Sequence, residues 1–380
     1  MEAVMSNVPK LRFKEFNGAW AVAPLSKVAD INPKSGELPD NFIYIDLESV
    51  KSGMMVKREL VAKDNAPSRA QRLLKNDDIL FQMVRPYQRN NFHFKLGNGY
   101  VASTGYAQIR SNGCSYFLFQ KLLTNRFVSD VLVRCTGTSY PAINSNDLSS
   151  IDVAYPCLTE QQKIADFLTD IDTKIEQLTR KEELLKQYKK GVMQKIFSQE
   201  IRFKAGDGSE FPDWKEKKLG DLCEITTGKL DANAMVDSGQ YRFYTCAKEY
   251  YNIDDYAFDT DALIVSGNGA NVGYIHHYQG KFNAYQRTYV LDSFTDNIIF
   301  VKFVLDEYLH KRIMKEKNEG NTPYIVMGTL TDMKINLPSF SEQTKIANFL
   351  SSIDNKIEQV GKQLDESKQF KKALLQQMFV

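Results

Sequence analysis

The sequence predicts an α+β protein in which two mixed α/β domains are separated by two long helices that pair as an antiparallel coiled coil, the whole forming a pseudo-twofold internal repeat. Three observations predict it. The text from Leu158 to Phe197 returns from Phe340 to Phe379 without a gap. Glu160-Gln161, Lys163-Ile164-Ala165, Phe167-Leu168, Ile171-Asp172 and Lys174-Ile175-Glu176-Gln177 reappear 182 residues later as Glu342-Gln343, Lys345-Ile346-Ala347, Phe349-Leu350, Ile353-Asp354 and Lys356-Ile357-Glu358-Gln359. A period this long in a chain of 380 residues marks two copies of one module and is too long for a solenoid. Within the repeat, apolar residues step alternately by four and three, the spacing of a coiled-coil seam. The segments between the copies carry short β-type runs punctuated by Gly, Pro and Asn.

Taken in order, residues 1–157 form the first domain. Phe42–Asp46, Asp78–Phe81 and Ile151–Tyr155 read as strands, and the apolar spacing of Phe119, Leu122, Leu123, Phe127 and Val131 predicts one helix over Ser115–Val133. Residues 158–198 are the central spacer helix. Pro156 ends the preceding strand, Thr159 is the expected N-cap, and Gln162 completes a capping box. The seam runs through Ile164, Leu168, Ile171, Ile175, Leu178, Leu185, Val192 and Ile196, broken at Glu182 and Lys189. A helix over 159–197 would extend roughly 57 Å at ~1.5 Å per residue.

Gly206-Asp-Gly208-Ser leads into the second domain, 199–338. Its opening repeats that of the first: Leu11-Arg-Phe-Lys14, Phe16, Trp20 and Leu25-x-x-Val28-x-x-Ile31 match Ile201-Arg-Phe-Lys204, Phe211, Trp214 and Leu219-x-x-Leu222-x-x-Ile225. The interiors diverge. Residues 339–380 are the second spacer helix, with its seam at Ile346, Leu350, Ile353, Ile357, Val360, Leu364, Leu374 and Met378 and its breaks at Ser367 and Lys371. Leu364 stands where the first copy has Glu182, and Leu185 where the second has Ser367, so the two helices are expected to pair with each other.

Composition is that of an ordinary globular protein, 43% apolar and 25% charged. No apolar run approaches the ~18 residues of a membrane span. Met1-Glu2-Ala3-Val4 lacks the basic and apolar regions of a signal peptide, so a cytoplasmic location is expected. The five cysteines never form CxxC and are expected to be buried thiols in a reducing compartment. Residues 1–157 carry 19 basic and 14 acidic residues, a net +5, whereas 199–338 carry 16 and 21, a net −5. The first domain has the weak basic excess of a nucleic-acid binder and the second does not.

The sequence offers no candidate catalytic residue and no metal-ligand spacing. His93, His276, His277 and His310 show no ligand spacing and read as surface or loop histidines. Gly267-Asn-Gly269-Ala-Asn-Val-Gly273 follows an apolar strand, but its glycine spacing is wrong for a dinucleotide loop, and it reads as a turn between strands. Asn321-Thr-Pro-Tyr324 resembles the Asn-Pro-Pro-Tyr loop of amino-methyltransferases, which leaves a standalone adenine methyltransferase as an alternative. It lacks the preceding apolar strand and a donor-binding loop; the matching place in the first half is Thr138-Ser-Tyr-Pro141.

The loops carry recognition chemistry instead. Arg85, Tyr87, Arg89, Asn90 and Asn91 share one loop, with Arg69 and Arg72 nearby in sequence; Lys248, Asn268, Asn271, Gln286 and Arg287 are comparable in the second domain. Arginine pairs with guanine edges, and asparagine or glutamine with adenine edges, in the major groove.

Pro-x-x-x-Glu-Gln-x-Lys-Ile-Ala-x-Phe-Leu-x-x-Ile-Asp-x-Lys-Ile, present at 156–175 and 338–357, resembles the helical regions of the specificity subunit of type I restriction–modification systems; the openings at Trp20 and Trp214 are similar to those of its target-recognition domains. The resemblance implies a non-catalytic reader of double-stranded DNA. Each domain would read one half of a bipartite site. The helices would set the gap and dock two modification subunits, adenine methyltransferases that bring S-adenosylmethionine. Restriction subunits with ATP-driven translocation and nuclease activity are further partners it implies, so ATP and Mg belong to partner subunits and no cofactor to this chain. On this view Ile164, Leu168, Ile171, Ile175, Leu178, Ile346, Leu350, Ile353, Ile357 and Val360 serve helix pairing or subunit docking, and the seam breaks turn part of each helix toward a modification subunit. The remaining alternative is a coiled-coil adaptor that does not touch DNA.

Overall fold

The computed structural model describes residues 7–316 and 323–380. The chain forms two compact units, Met1–Thr179 with Lys362–Val380 and Arg180–Gly361. Their boundary falls inside both long helices, so each unit contains one half of each helix.

In the first unit, Ile79–Gln82 is buried on both faces, as its continuous apolar run requires. It is central to an antiparallel sheet in the order Ala29–Ile31, Tyr106–Ser111, Ile79–Gln82, Phe92–His93. A second sheet orders Glu59–Ala62, Asn41–Ile45, Tyr100–Ser103 and Ala70–Leu73, with Asn41–Ile45 and Tyr100–Ser103 parallel. The single helix expected over Ser115–Val133 is two, Ser115–Leu122 and Asn125–Val133. Thr124 breaks it: its backbone is extended and its side chain accepts the Phe127 N–H, an N-cap that restarts the helix.

The second unit has one six-stranded sheet, ordered Glu224–Thr227, Thr288–Asp292, Phe258–Ser266, Ile275–Ala284, Tyr241–Tyr244 and Tyr251–Ile253. All its neighbours are antiparallel except the parallel pair Ile275–Ala284 and Tyr241–Tyr244. The helix Ile298–Glu316 covers one face, where Phe300, Val304 and Leu305 join Leu263, Val265 and Leu291 in one core. Gly267–Gly273 is the expected turn, since Val265 pairs with Ile275. A Cβ at Gly267 would lie 2.2 Å from the Arg287 carbonyl oxygen, so only glycine fits.

The long helices run Leu158–Phe197 and Phe340–Met378. Thr159 therefore lies inside the first turn, and Gln162 donates to Asp166 four residues on, so the expected capping box is not formed. Every seam position is buried or half-buried. In the first unit Ile164, Leu168 and Ile171 pack with Leu374 and Met378. In the second, Ile346, Leu350, Ile353 and Ile357 pack with Met193 and Ile196. Leu178 and Val360 are buried and Ile175 is half-buried. Ascending numbers on one helix meet descending numbers on the other, so the pairing inside each unit is antiparallel.

The two lysine breaks of the seam do not turn outward as expected. Lys371 Nζ is 2.7 Å from Asp172 in the first unit, and Lys189 Nζ is 2.6 Å from Asp354 in the second. Asp172 and Asp354 are equivalent in the repeat, as are Lys189 and Lys371, so one ion pair occurs twice with its partners exchanged between copies. A lysine at a seam position is tolerated because its stem is apolar and its charge finds the twin's carboxylate. Glu182 faces Gly361, whose Cβ would stand 3.8 Å from the carboxylate, and takes a bond from Lys186.

Two smaller expectations also change. Cys223 is buried, but Cys157 is exposed and Cys114, Cys135 and Cys246 are half-buried; all five are free thiols. His93 and His276 are packed against aromatic rings and are not free surface groups. Among the described residues no helix is long and apolar enough to cross a membrane.

Candidate nucleic-acid interface

The repeated motif residues build the same joint in each unit. Glu160, 1% exposed, accepts the Arg12 Nε and Nη2 donors at 2.7 Å each and faces Trp20 Nε1 at 3.4 Å. Glu342, equally buried, accepts from Arg202 at 3.3 and 2.9 Å and from Trp214 Nε1 at 3.3 Å. The hydrogen bonds to these carboxylates hold both guanidinium groups above their usual pKa. The adjacent glutamines work in parallel. Gln161 donates to the Pro156 carbonyl and accepts from Cys114 N–H; Gln343 donates to the Pro338 carbonyl and accepts from Asn297 N–H. Phe13 stands edge-on to Phe167, and Phe203 to Phe349. The opening Arg and Trp of each domain thus clasp the Glu of the helix that follows it, the opening Phe packs on that helix's Phe, and the Gln ties the helix start to the domain interior. A constant joint leaves the strand-connecting loops free to differ.

In the first unit those loops meet around the Thr104–Gly105 turn. Thr104 N–H donates to Arg69 O, and Met83 N–H to Gly105 O, which sets Arg69 and the Arg85 loop at one end of the two sheets. Arg69 is exposed, whereas Arg72 is half-buried with an Nε that has no partner among the described residues; burial lowers its pKa. Arg85 and Arg89 flank the short turn Pro86–Gln88 with left-handed backbones, φ 54° and 53°, a conformation that disfavours side-chain-bearing residues. The Arg85 guanidinium lies 4.1 Å over the Tyr140 ring, its Nε also unpartnered, and Tyr87 projects half-exposed beside it.

Three candidates of this loop are engaged inside the protein. Arg89 bonds the Leu123 carbonyl and Asn125 Oδ1, tying the loop to the helix break. Asn90 Oδ1 accepts from Ser52 N–H. Asn91 is 1% exposed and its Oδ1 accepts the Gln82 N–H, so it supports the loop from within and presents nothing at the surface.

In the second unit, Lys248, Asn268, Asn271 and Arg287 gather around Cys246. Asn271 Nδ2 donates to Cys246 O, Cys246 Sγ approaches Arg287 O, and Gly267 N–H donates to Arg287 O. Lys248 and Arg287 are exposed. Gln286 is turned aside, donating to Asp231. The two loop systems occupy equivalent places in their units although the residues that face outward differ. Ile143 N–H donates to Met83 O in one unit, and Ile325 N–H to Gly267 O in the other; Val84 bridges Ala142 as Asn268 bridges Tyr324. Asn321 and Thr322 of the methyltransferase-like motif lie outside the described residues. Its Tyr324 is exposed beside Asn268.

One cluster escaped the sequence reading. Arg242 sits between the rings of Tyr250 and Tyr278, and Tyr244, His276 and Tyr274 continue the same aromatic strip. Burial raises the Tyr244 pKa and lowers that of His276, keeping both neutral at pH 7. The tyrosine-rich run from Tyr241 to Tyr256 was the available signal.

Comparison with known proteins places this geometry. The family model of the type I restriction modification DNA specificity domain matches residues 17–187 and 212–367. The chain is 42% identical over 168 residues to the Escherichia coli EcoDI specificity subunit, covering 43% of this chain and 37% of that protein. It is 27% identical over 271 residues to the Methanocaldococcus jannaschii MjaVIII specificity subunit, covering 63% of this chain and 64% of that one. The alignments thus span less than two thirds of either relative's length. Among solved structures, the S subunit of a type I restriction–modification system from M. genitalium superposes with a TM-score of 0.68 at 18% identity, covering 98% of this chain and 99% of that one. A chain from a structure of type I system assembly and conformational transition gives 0.54 at 20% identity, with coverages of 95% and 97%. At these identities the structural matches establish the fold.

Proposed function

The chain belongs to the type I restriction modification DNA specificity family, and on that premise we propose that it is a non-catalytic DNA-reading subunit, each unit reading one half of a bipartite site. The observation that carries this is the contrast between joint and loops. Identical Arg–Glu–Trp joints hold loops that occupy equivalent places but expose different arginine, amide and tyrosine side chains. That arrangement suits a scaffold whose specificity changes while its assembly does not. Base contacts specify and phosphate contacts position. In this reading the long helices set the gap between half-sites and dock two modification methyltransferase subunits. S-adenosylmethionine, with ATP and Mg where restriction subunits join, resides on those partners.

The acidic balance of residues 199–338 favours a reading in which the partners supply part of the phosphate clamping. The isolated chain is therefore expected to bind DNA weakly and the assembled complex tightly. Sequencing methylated sites in the host genome with this gene intact and deleted tests the function directly: loss of one bipartite motif on deletion is expected. An unchanged methylome, tight specific binding by the chain alone, or S-adenosylmethionine binding by the chain alone would refute it.

A further inference from the structure

We propose that Arg242 is a base-reading side chain of the second unit, directed at a guanine; this rests on the DNA-reading function above. Successive side chains of a strand point to opposite faces of its sheet. On Ile275–Ala284, Ile275 faces the core under the helix Ile298–Glu316, whereas His276, Tyr278 and Phe282 face the other way and touch Tyr244. Arg242 shares that second face. Its guanidinium carbon lies 4.2 Å from the Tyr250 ring centre and 4.3 Å from that of Tyr278, and Nη1 donates to the Tyr244 hydroxyl at 3.3 Å. Two stacked rings and one hydrogen bond fix the plane of the group before any ligand arrives. That removes most of the rotamer entropy a free arginine would lose on binding.

The charge of Arg242 is also uncommitted. Arg202 and Arg312 of the same unit are ion-paired with Glu342 and Glu316, but among the described residues Arg242 makes no ion pair, although the surrounding segment is acidic. An arginine serving only the fold would more economically pair with one of those carboxylates. From Tyr244 the strip continues through His276 and Tyr274 to Lys248, 6.0 Å over the Tyr274 ring, and so to the loop holding Asn271 and Arg287. The stacked arginine is therefore linked to the loop candidates through one strip of touching rings. A guanidinium held in plane, with only its Nη1 bonded among the described residues, can offer its other N–H groups to the O6 and N7 acceptors of guanine, the commonest specific arginine contact. A phosphate would need the charge and not the plane.

The test uses the full chain assembled with its modification subunits and carrying R242Q, R242K or Y250L. Methylated sites are sequenced, and binding is measured on duplexes substituted one base at a time. The wild-type half-site read by the second unit is expected to contain a guanine whose preference falls by about tenfold or more in R242Q. R242K does not restore it, Y250L weakens it, and the other half-site and the spacing persist as the internal control for folding. An unchanged motif in R242Q overturns the proposal. So does full rescue by R242K with a uniform loss of affinity in R242Q across all sequences, the mark of a phosphate contact. Absence of any gene-dependent motif in the wild type overturns the DNA-reading function itself, and the role of Arg242 with it.

Discussion

Replacing Arg12 by alanine strands a carboxylate inside the first unit. Glu160 is 1% exposed and receives two charge-assisted bonds of 2.7 Å from Arg12; its other side-chain donor among the described residues is Trp20 Nε1 at the longer distance of 3.4 Å. Removing one member of such a pair costs about 3–5 kcal/mol, because the surviving charge stays buried without compensation. For a unit of this size the lower figure corresponds to a fall in melting temperature of roughly 6–12 °C. The chain offers its own probe. It has two tryptophans, one in each unit and each against its joint glutamate. In a W214F background, Trp20 emission during urea unfolding reports on the first unit alone. R12A is expected to lower the midpoint by the amount above, and R12A/E160Q to recover part of it, since the double variant leaves no buried charge. An R12A midpoint within about 0.5 kcal/mol of the parent, a change typical of an ordinary surface site, refutes the reasoning. A double variant no more stable than R12A does so as well. R202A, read by Trp214 in a W20F background, should behave alike in the second unit.

Asp172 accepts from Tyr116 and Gln120 as well as pairing with Lys371, so D172A should cost about 1.5–3 kcal/mol by the same fluorescence assay; an unshifted midpoint would show that the seam ion pair is idle. His93 lies against Tyr116 and Phe119, and burial lowers its pKa to about 4 from an ordinary 6.5. As pH falls through that window the unfolded chain takes up a proton that the folded chain refuses, so stability falls with pH, by up to about 3 kcal/mol. H93Q should flatten the difference between urea midpoints at about pH 7 and about pH 5, and an equal slope in both proteins would exclude this source. Four residues, about one helical turn, inserted near Gln177–Lys181 alone would pull Asp172–Lys371 and Lys189–Asp354 out of a common register. A matching insertion near Gln359–Gln363 keeps both pairs. The matched variant should methylate sites with a longer gap and the same two half-sequences, and an unchanged gap would sink the idea that the helices set the spacing.

Much of the candidate site was visible as residue types but not as roles. Arg85 and Arg89 stand four apart in one loop and look alike in sequence, yet one stacks on Tyr140 with an Nε that has no partner among the described residues, while the other anchors the loop to Leu123 and Asn125. Asn90 and Asn91 are neighbours, and only the latter is sealed in the interior. Arg242 gave no signal of its own, because the rings that hold it come from Tyr250 and from a strand more than thirty residues on.

What the sequence determined by itself is everything that repeats or has a period. The duplication, the order of domain and helix, and the seam from Ile164 to Leu178 and from Ile346 to Val360 follow from spacing along one chain, which local geometry converts directly into one buried face. The tertiary structure alone decided what each exception to the pattern does. Lys189 and Lys371 break the seam in sequence and complete it in space, and Arg12 finds Glu160 across 148 residues. A buried charge is stable only beside its partner, and that partner is chosen by the folded geometry and not by distance along the chain.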